Sequence, residues 1–445
     1  MASTTPLKAT AVYDDYGTKA YKAELVEIKI LNPEPAASLI NKGLIFVIDV
    51  SGSMNFENRL ATVKIGLQTT LDILVHKVSE APLSEIEIMD TNTKANFLQK
   101  VGYIAFIVFG KLANLVWDST SKVNPYKVVN DLHADGNTNL YGGVNLALSK
   151  VNEVKQPCTV IIFTDGDANE SVTDKASFIS LYGKFPSSTT LISAGIGNNY
   201  TSDLISLSPV SFSHIAGPTQ MIEFMGSVIS DFILAIGFQA KLELINVPVF
   251  RALVGETNLG KLITNVPRTL MFSVYHSSKY PKHDATQRIP KDARVKLIYQ
   301  RFDGSQASME TEIQRVENLS DESVENYYRE EAIRLIAHVS HLSYPISDVE
   351  RLIKAWDRPN AGPYRDSVLQ FIQDKKKGLL IHEVRDVEHL LAQSSSQNAH
   401  TPSALPLLTP KTPKSELRTT FNALALRRSS NDKSPSSSLV LGVCQ

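Results

Sequence analysis

Leu44-Ile45-Phe46-Val47-Ile48 is an unbroken run of large apolar residues that stops on Asp49. A strand with one wet face alternates apolar and polar residues. A run without alternation belongs to a strand covered on both faces, the usual condition in a parallel sheet flanked by helices. The following sequence has the period such helices need. Leu60, Val63, Leu67, Leu71, Leu74 and Val78 step by three or four, which gives one apolar stripe. Further strands are expected at 101–109, 159–164, 190–195 and 212–216, and further helices at 141–154, 174–182 and 219–235. This repeated alternation specifies an α/β fold: a doubly wound, mainly parallel, Rossmann-like sheet with helices on both faces.

The pattern differs on either side of this block. Residues 8–31 alternate as strands do, with a turn at Asp14-Asp15-Tyr16-Gly17, and 32–42 reads as a proline-containing connector. Beyond Phe238, strands are expected at 240–247, 269–275, 295–302 and 309–316, an antiparallel, sandwich-like β domain. The N-terminal strands are candidates to join it, since nothing else would cover their edges. From Ser320 the period is helical, and Lys375-Lys376-Lys377-Gly378 resembles a capped helix end. The tail is rich in Ser, Thr and Pro and reads as disordered. The expected organisation is N-terminal strands over 1–42, the α/β domain over 43–236, the β domain over 237–318, a helical region over 319–393 and the tail over 394–445. Within the α/β block, the polar stretch 80–99 reads as an extended loop, either an insertion or a segment shaping the ligand face.

Composition narrows the functional classes. Lys and Arg total 45 against 46 Asp and Glu, so no global field favours nucleic acid or a membrane surface. Two cysteines, Cys158 and Cys444, exclude a disulfide framework and a multi-cysteine zinc module. No apolar run is long enough for a membrane span, and residues 1–10 lack an apolar signal core. These features together read as a cytoplasmic protein.

The chemistry concentrates in three short segments. Asp49-Val50-Ser51-Gly52-Ser53 lies at the carboxyl end of the first sheet strand, the edge where open α/β sheets bind ligands. Asp135-Gly136-Asn137-Thr138-Asn139-Leu140 precedes a helix and offers the Thr138 hydroxyl; Thr164-Asp165-Gly166 ends a strand and offers a carboxylate. Asp49, Ser51, Ser53, Thr138 and Asp165 make an all-oxygen donor set, which suits Mg²⁺ or Mn²⁺ rather than zinc or copper. Each residue also has a bland reading: Asp49, Ser51, Ser53 and Thr138 as helix caps, Asp165 as a turn residue beside Gly166. Those readings leave unexplained why all five fall on one rim. A second match, Asp432-Lys433-Ser434-Pro435-Ser436, follows no strand and has no companion loops, so it carries no weight.

The ordered set Asp-x-Ser-x-Ser, Thr in a glycine-containing loop, and Asp-Gly after a later strand resembles the metal-ion-dependent adhesion site (MIDAS) of the von Willebrand factor A (VWA) family. The likeness covers roughly residues 43–235, about two-fifths of the chain. It implies that Ser51, Ser53 and Thr138 ligate the metal through hydroxyls, and that Asp49 and Asp165 act directly or through water. It further implies an open coordination position that takes an Asp or Glu carboxylate from a protein partner, with no catalysis. The helix expected at 219–235 is the element that the resemblance implies would shift on ligand binding. Strands on both sides of the domain, then helices, are similar to intracellular VWA proteins of plants and protists. Some of those carry a RING; the ligands for that module are missing here, so ligase activity is not expected.

The leading expectation is therefore an intracellular scaffold or adaptor with cation-gated recognition. The alternative is a Mg²⁺-dependent hydrolase or phosphotransferase on a similar sheet. That chemistry needs a nucleophile or base beside the metal. The position two after Asp49 is Ser51, and none of the three segments holds His or Lys. A third reading has the metal stabilising loops only. Weaker signals are the helix-spaced pair His338 and His341, the close-approach glycines Gly142-Gly143, and phosphosite patterns in the tail such as Arg427-Arg428-Ser429. Oligomeric state and partner identity are not encoded in any recognisable pattern.

Overall fold

The computed structural model describes residues 7–14, 23–165, 168–197, 204, 205, 207, 210–247, 250–254, 257–266, 268–275 and 289–316, with 365, 366, 369, 372 and 373 beyond. Two strands come first, β1 (Leu7–Asp14) and β2 (Ala23–Ile30). β3 (Gly43–Asp49) leads through a 3-10 segment, Gly52–Asn58, into α1 (Arg59–Ser79). α2 (Leu83–Ile88) and α3 (Thr91–Leu98) precede β4 (Ile104–Phe109) and β5 (Ala113–Asp118). Then come α4 (Pro125–Asp131), α5 (Leu140–Val154), β6 (Cys158–Thr164) and α6 (Lys175–Tyr182). β7 (Thr190–Ile196), β8 (Ser211–Ile215) and α7 (Pro218–Leu234) complete the alternating part. The remaining described elements are β9 (Ala235–Ile245), β10 (Phe250–Val254), β11 (Asn258–Ile263), β12 (Arg268–Tyr275), β13 (Arg294–Arg301) and β14 (Gln306–Arg315). The chain divides into two compact units, one built mainly from 38–233 and the other combining the N-terminal strands with the strands after α7.

In the α/β unit the strand order is β5-β4-β3-β6-β7-β8 among the described residues. β3 pairs in parallel with both β4 and β6, and β6 in parallel with β7. Every residue of β3, β4 and β6 is buried, as their continuous apolar runs require. The chain leaves β3 toward β4 on one side and later returns to β6 on the other. The carboxyl end of β3 is therefore the topological switch point, where the outgoing loops diverge and leave a crevice. Two elements on this sheet have no counterpart in the sequence reading: the antiparallel edge strand β5 and the helix α4.

Helix α1 buries the stripe Leu60, Val63, Leu67, Leu71 and Leu74, each contributing about 1.5–3 kcal/mol of transfer free energy. On α5, Gly143 sits where a Cβ would lie 2.7 Å from Cδ1 of Phe109, so a glycine is needed for this helix to approach β4. The stretch 80–99 is not an extended loop but two helices. Ile86 and Leu98 are its apolar anchors, and Asp90 caps α3 by accepting from the backbone N–H groups of Asn92 and Thr93. Lys94 is buried against Asp72 of α1 at 3.1 Å, and Tyr126 of α4 donates to the same carboxylate at 2.8 Å. This buried polar cluster joins three helices that hydrophobic periodicity leaves unconnected.

The second unit is an eight-stranded sheet, order β10-β12-β2-β1-β14-β13-β9-β11. Its strands form a single continuous hydrogen-bonded order. Its pairs are antiparallel except β1 with β14, which is parallel. The N-terminal strands lie in the middle of this sheet, because Val26, Ile28 and Ile30 of β2 and Leu7, Ala9 and Ala11 of β1 complete its core with Leu242, Leu270, Val295 and Leu297. The connector after β2 is held by Glu34, which accepts two bonds from Arg301 at 2.8 and 3.1 Å and one from the Tyr299 hydroxyl at 2.7 Å. The helical region expected at 319–393, the tail and His338 and His341 lie outside the described residues, apart from the helical residues 365, 366, 369, 372 and 373.

Candidate metal-binding site

The rim at the switch point is assembled from backbone bonds between its loops. Val50 N–H bonds to the Phe109 carbonyl at the end of β4 at 2.8 Å, and the Val50 carbonyl accepts from Asp135 N–H at 2.7 Å. Gly52 N–H bonds to the Gly136 carbonyl at 2.9 Å. The Thr138 backbone is clamped by residues after β6: its N–H donates to Asn169 Oδ1 at 2.8 Å, and its carbonyl accepts from the N–H groups of Asn169 and Glu170. Three segments far apart in sequence thus meet with their main chains in contact, which fixes where their side chains start.

Asp49 ends β3 and is fully buried. Its Oδ1 accepts the Ser51 N–H at 2.8 Å and its Oδ2 accepts the Thr164 hydroxyl at 2.6 Å. It caps no helix. Burial pushes its carboxyl up to about 6, against the opposing pull of the Ser51 and Thr164 bonds, and the charge of Asp165 adds to the rise. Ser51 and Ser53 face each other, Oγ to Oγ, at 3.0 Å. Ser51 occupies the cap position of the 3-10 segment without bonding to it. Thr138 is buried, and the cap of α5 is the next residue: Asn139 Oδ1 accepts the Gly142 N–H at 2.8 Å. For Asp49, Ser51 and Thr138, then, capping does not account for the side chain. Asp165 is buried at the end of β6, and its Oδ1 has no hydrogen-bond partner among the described residues. Gly166 and Asp167 lie outside those residues; Asp135 is exposed on the rim.

The residue that sequence reasoning missed is Arg59. It opens α1 and is only 7% exposed. Its Nη1 bonds to Asp165 Oδ2 at 3.0 Å and its Nη2 to Glu57 Oε2 at 3.2 Å. Gly197, at φ +87°, lies under the guanidinium, where a Cβ would stand 2.5 Å from Nε. A cation at a helix N-terminus opposes the helix dipole, and α1 has no acid in its first turn. That misplaced charge is the available sequence signal that Arg59 has a specific acidic partner. The segment before it is strained, since Glu57 (φ 53°) and Asn58 (φ 56°) are consecutive left-handed residues without being glycine. Such conformations cost about 1 kcal/mol or more each and collect at functional sites.

The donor chemistry fits a hard divalent cation. The loops bearing Asp49, Ser51, Ser53, Thr138 and Asp165 meet at one rim; one carboxylate is destabilised by burial, and the other keeps a buried oxygen without a donor among the described residues. No cluster of three or more His, Cys, Asp or Glu suited to a metal occurs among the described residues. Among those residues no helix is long and apolar enough to cross a membrane.

No protein-family model matches the sequence, and no curated protein does. Solved structures do match the fold. A von Willebrand factor type A protein from Catenulispora acidiphila is 13% identical with a TM-score of 0.53, over 96% of this chain and 98% of that one. The ArnB paralog VWA2 from Sulfolobus acidocaldarius is 14% identical with a TM-score of 0.50, over 88% of this chain and 97% of that one. The α/β unit with its mainly parallel sheet, together with the added antiparallel sheet, is thus a fold shared with VWA-domain proteins.

Proposed function

We propose that the α/β unit is a divalent-cation-dependent protein-binding module. In it Asp49, Ser51, Ser53, Thr138 and Asp165 hold Mg²⁺ or Mn²⁺, and an Asp or Glu carboxylate of a partner completes the coordination. The observation that supports this reading is that the loops carrying those residues hydrogen bond to one another at the switch point, with one Asp165 oxygen buried and without a donor among the described residues. The ion would supply the strong positive charge at the centre of the rim, where Arg59 is buried and engaged with Asp165 and Glu57; the exposed Lys111 stands to one side, on the turn before Leu112. Without the ion, Asp49, Asp165 and the rim acids Glu57, Asp135 and Glu170 oppose an acidic partner, so recognition becomes conditional on the metal. In this reading the chain is a scaffold or adaptor and performs no catalysis, and its buried free thiol Cys158 suits the reducing cytoplasm.

Calorimetry of the full chain with Mg²⁺ and with Mn²⁺ tests the site. Saturable binding lost in Asp49→Ala and weakened in Thr138→Ala, with circular dichroism unchanged, is the expected result. Equal heats from wild type and Asp49→Ala, or none from either, would overturn it. Affinity capture in Mg²⁺ against chelator then separates a binding site from a loop-stabilising ion, since only the former retains partners in Mg²⁺ alone.

A further inference from the structure

Two large apolar side chains stand in solvent on the same rim. Phe56 is 67% exposed and Leu112 is 68% exposed. Scattered exposed apolar residues are ordinary, but these two are not scattered. The loop bearing Thr138 is tied on one side to the segment that carries Phe56, through Gly52 N–H to the Gly136 carbonyl and Asn55 Nδ2 to the Ala134 carbonyl at 3.0 Å. On the other side it is tied to the turn that carries Leu112, through Asn139 N–H to the Gly110 carbonyl at 2.8 Å and Asn139 Nδ2 to the Lys111 carbonyl at 3.4 Å. Phe56 and Leu112 therefore flank the Thr138 loop.

The backbone around Phe56 is held in this posture rather than left to collapse. Phe56 itself is extended, and Glu57 and Asn58 after it are both left-handed. Arg59 anchors Glu57, and Asn55 anchors the segment to residue 134. A turn that strains two non-glycine residues while leaving a phenylalanine in water points to a role for that side chain outside the free protein.

We propose that Phe56 and Leu112 form an apolar rim that selects the partner: an extended protein segment in which the acid taken by the metal site has a bulky apolar residue beside it. This rests on the cation-dependent reading above. The acid meets the metal, and the neighbouring apolar residue packs on Phe56 or Leu112. The rim acids Glu57, Asp135 and Glu170 outnumber the one exposed rim lysine described, Lys111, and so disfavour segments with several acids in a row. The site thus distinguishes an acidic-apolar segment from a polyacidic one, a distinction the metal alone would not make.

The test is selection from displayed peptides with one fixed central Asp or Glu and random neighbours, on the full-length protein, in Mg²⁺ and in chelator. Peptides enriched only in Mg²⁺ should carry Leu, Ile, Met, Phe or Trp within two positions of the acid. Phe56→Ser and Leu112→Ser should each weaken the best such peptide about tenfold and flatten that preference. Val123→Ser is the control: Val123 is 53% exposed but belongs to the loop after β5, near the amino end of β4, and the variant should leave the selection unchanged. Enrichment of the acid without apolar neighbours, or a preference that survives both rim variants, overturns this inference and leaves the metal-dependent reading standing. Absence of any Mg²⁺-dependent enrichment, with Asp49→Ala behaving as wild type, overturns both.

Discussion

Arg59 and Asp165 make the most consequential ion pair near the site, and its strength follows from where it lies. The two side chains are 8% and 2% exposed, and the contact is 3.0 Å. At an effective dielectric of about 20, unit charges at that separation attract by roughly 5 kcal/mol. Desolvation of both groups removes much of that gain, so the pair as a whole contributes little net stability. Removing Arg59 is a different perturbation, because it strands the Asp165 charge in the interior at a loss of about 3–5 kcal/mol. Removing Asp165 leaves Arg59 paired with the half-exposed Glu57, so Asp165→Asn should cost less, about 1–3 kcal/mol, than Arg59→Met in chelator. The double variant should be less destabilised than the sum by at least about 1 kcal/mol. Urea unfolding followed by tryptophan fluorescence measures this, with Trp356→Phe as background so that the buried Trp117 reports on the α/β unit. Single losses below about 1 kcal/mol, or additivity within about 0.5 kcal/mol, would refute the buried-pair argument.

Burial raises the Asp49 carboxyl to about 6, above its unfolded value, so the native state holds that proton more tightly. The contribution is full below about pH 4 and declines as pH rises to about 6; above that the charged group costs about 3 kcal/mol without a cation. In chelator, Asp49→Asn should be more stable than wild type at neutral pH and lose the decline between about pH 4 and 6; an unchanged pH profile would contradict this. Gly143→Ala pits helix propensity, which favours alanine by about 1 kcal/mol, against the 2.7 Å approach to Phe109. Net destabilisation of about 1–3 kcal/mol in thermal melts is expected, and a stabilised variant would show that the helix moves freely. Burial pushes the Cys158 thiol up to about 12. In a Cys444→Ser background it should resist iodoacetamide until urea unfolds the chain, and native-state alkylation at the unfolded rate would disprove that.

The sequence alone determined the α/β class, because unbroken apolar strands and three-four stepped helices are local patterns written by what each face must touch. It also placed the two aspartates of the candidate site at strand ends, since Asp49 follows an apolar run directly and Asp165 follows one after Thr164. What the tertiary structure decided are relations between distant residues that leave no period behind. Helix α3 in the polar stretch 80–99 is anchored where Lys94 and Tyr126 meet on Asp72, a charge cluster spread over three helices. β1 and β2 enter the middle of the second sheet, where β1 runs parallel to β14 some three hundred residues later in the chain. Arg59 becomes part of the site only because β6 delivers Asp165 to it. Hydrophobic periodicity records which side of an element is dry, but it cannot record which buried charge will find which partner, since that depends on the loops that bring them within about three ångströms.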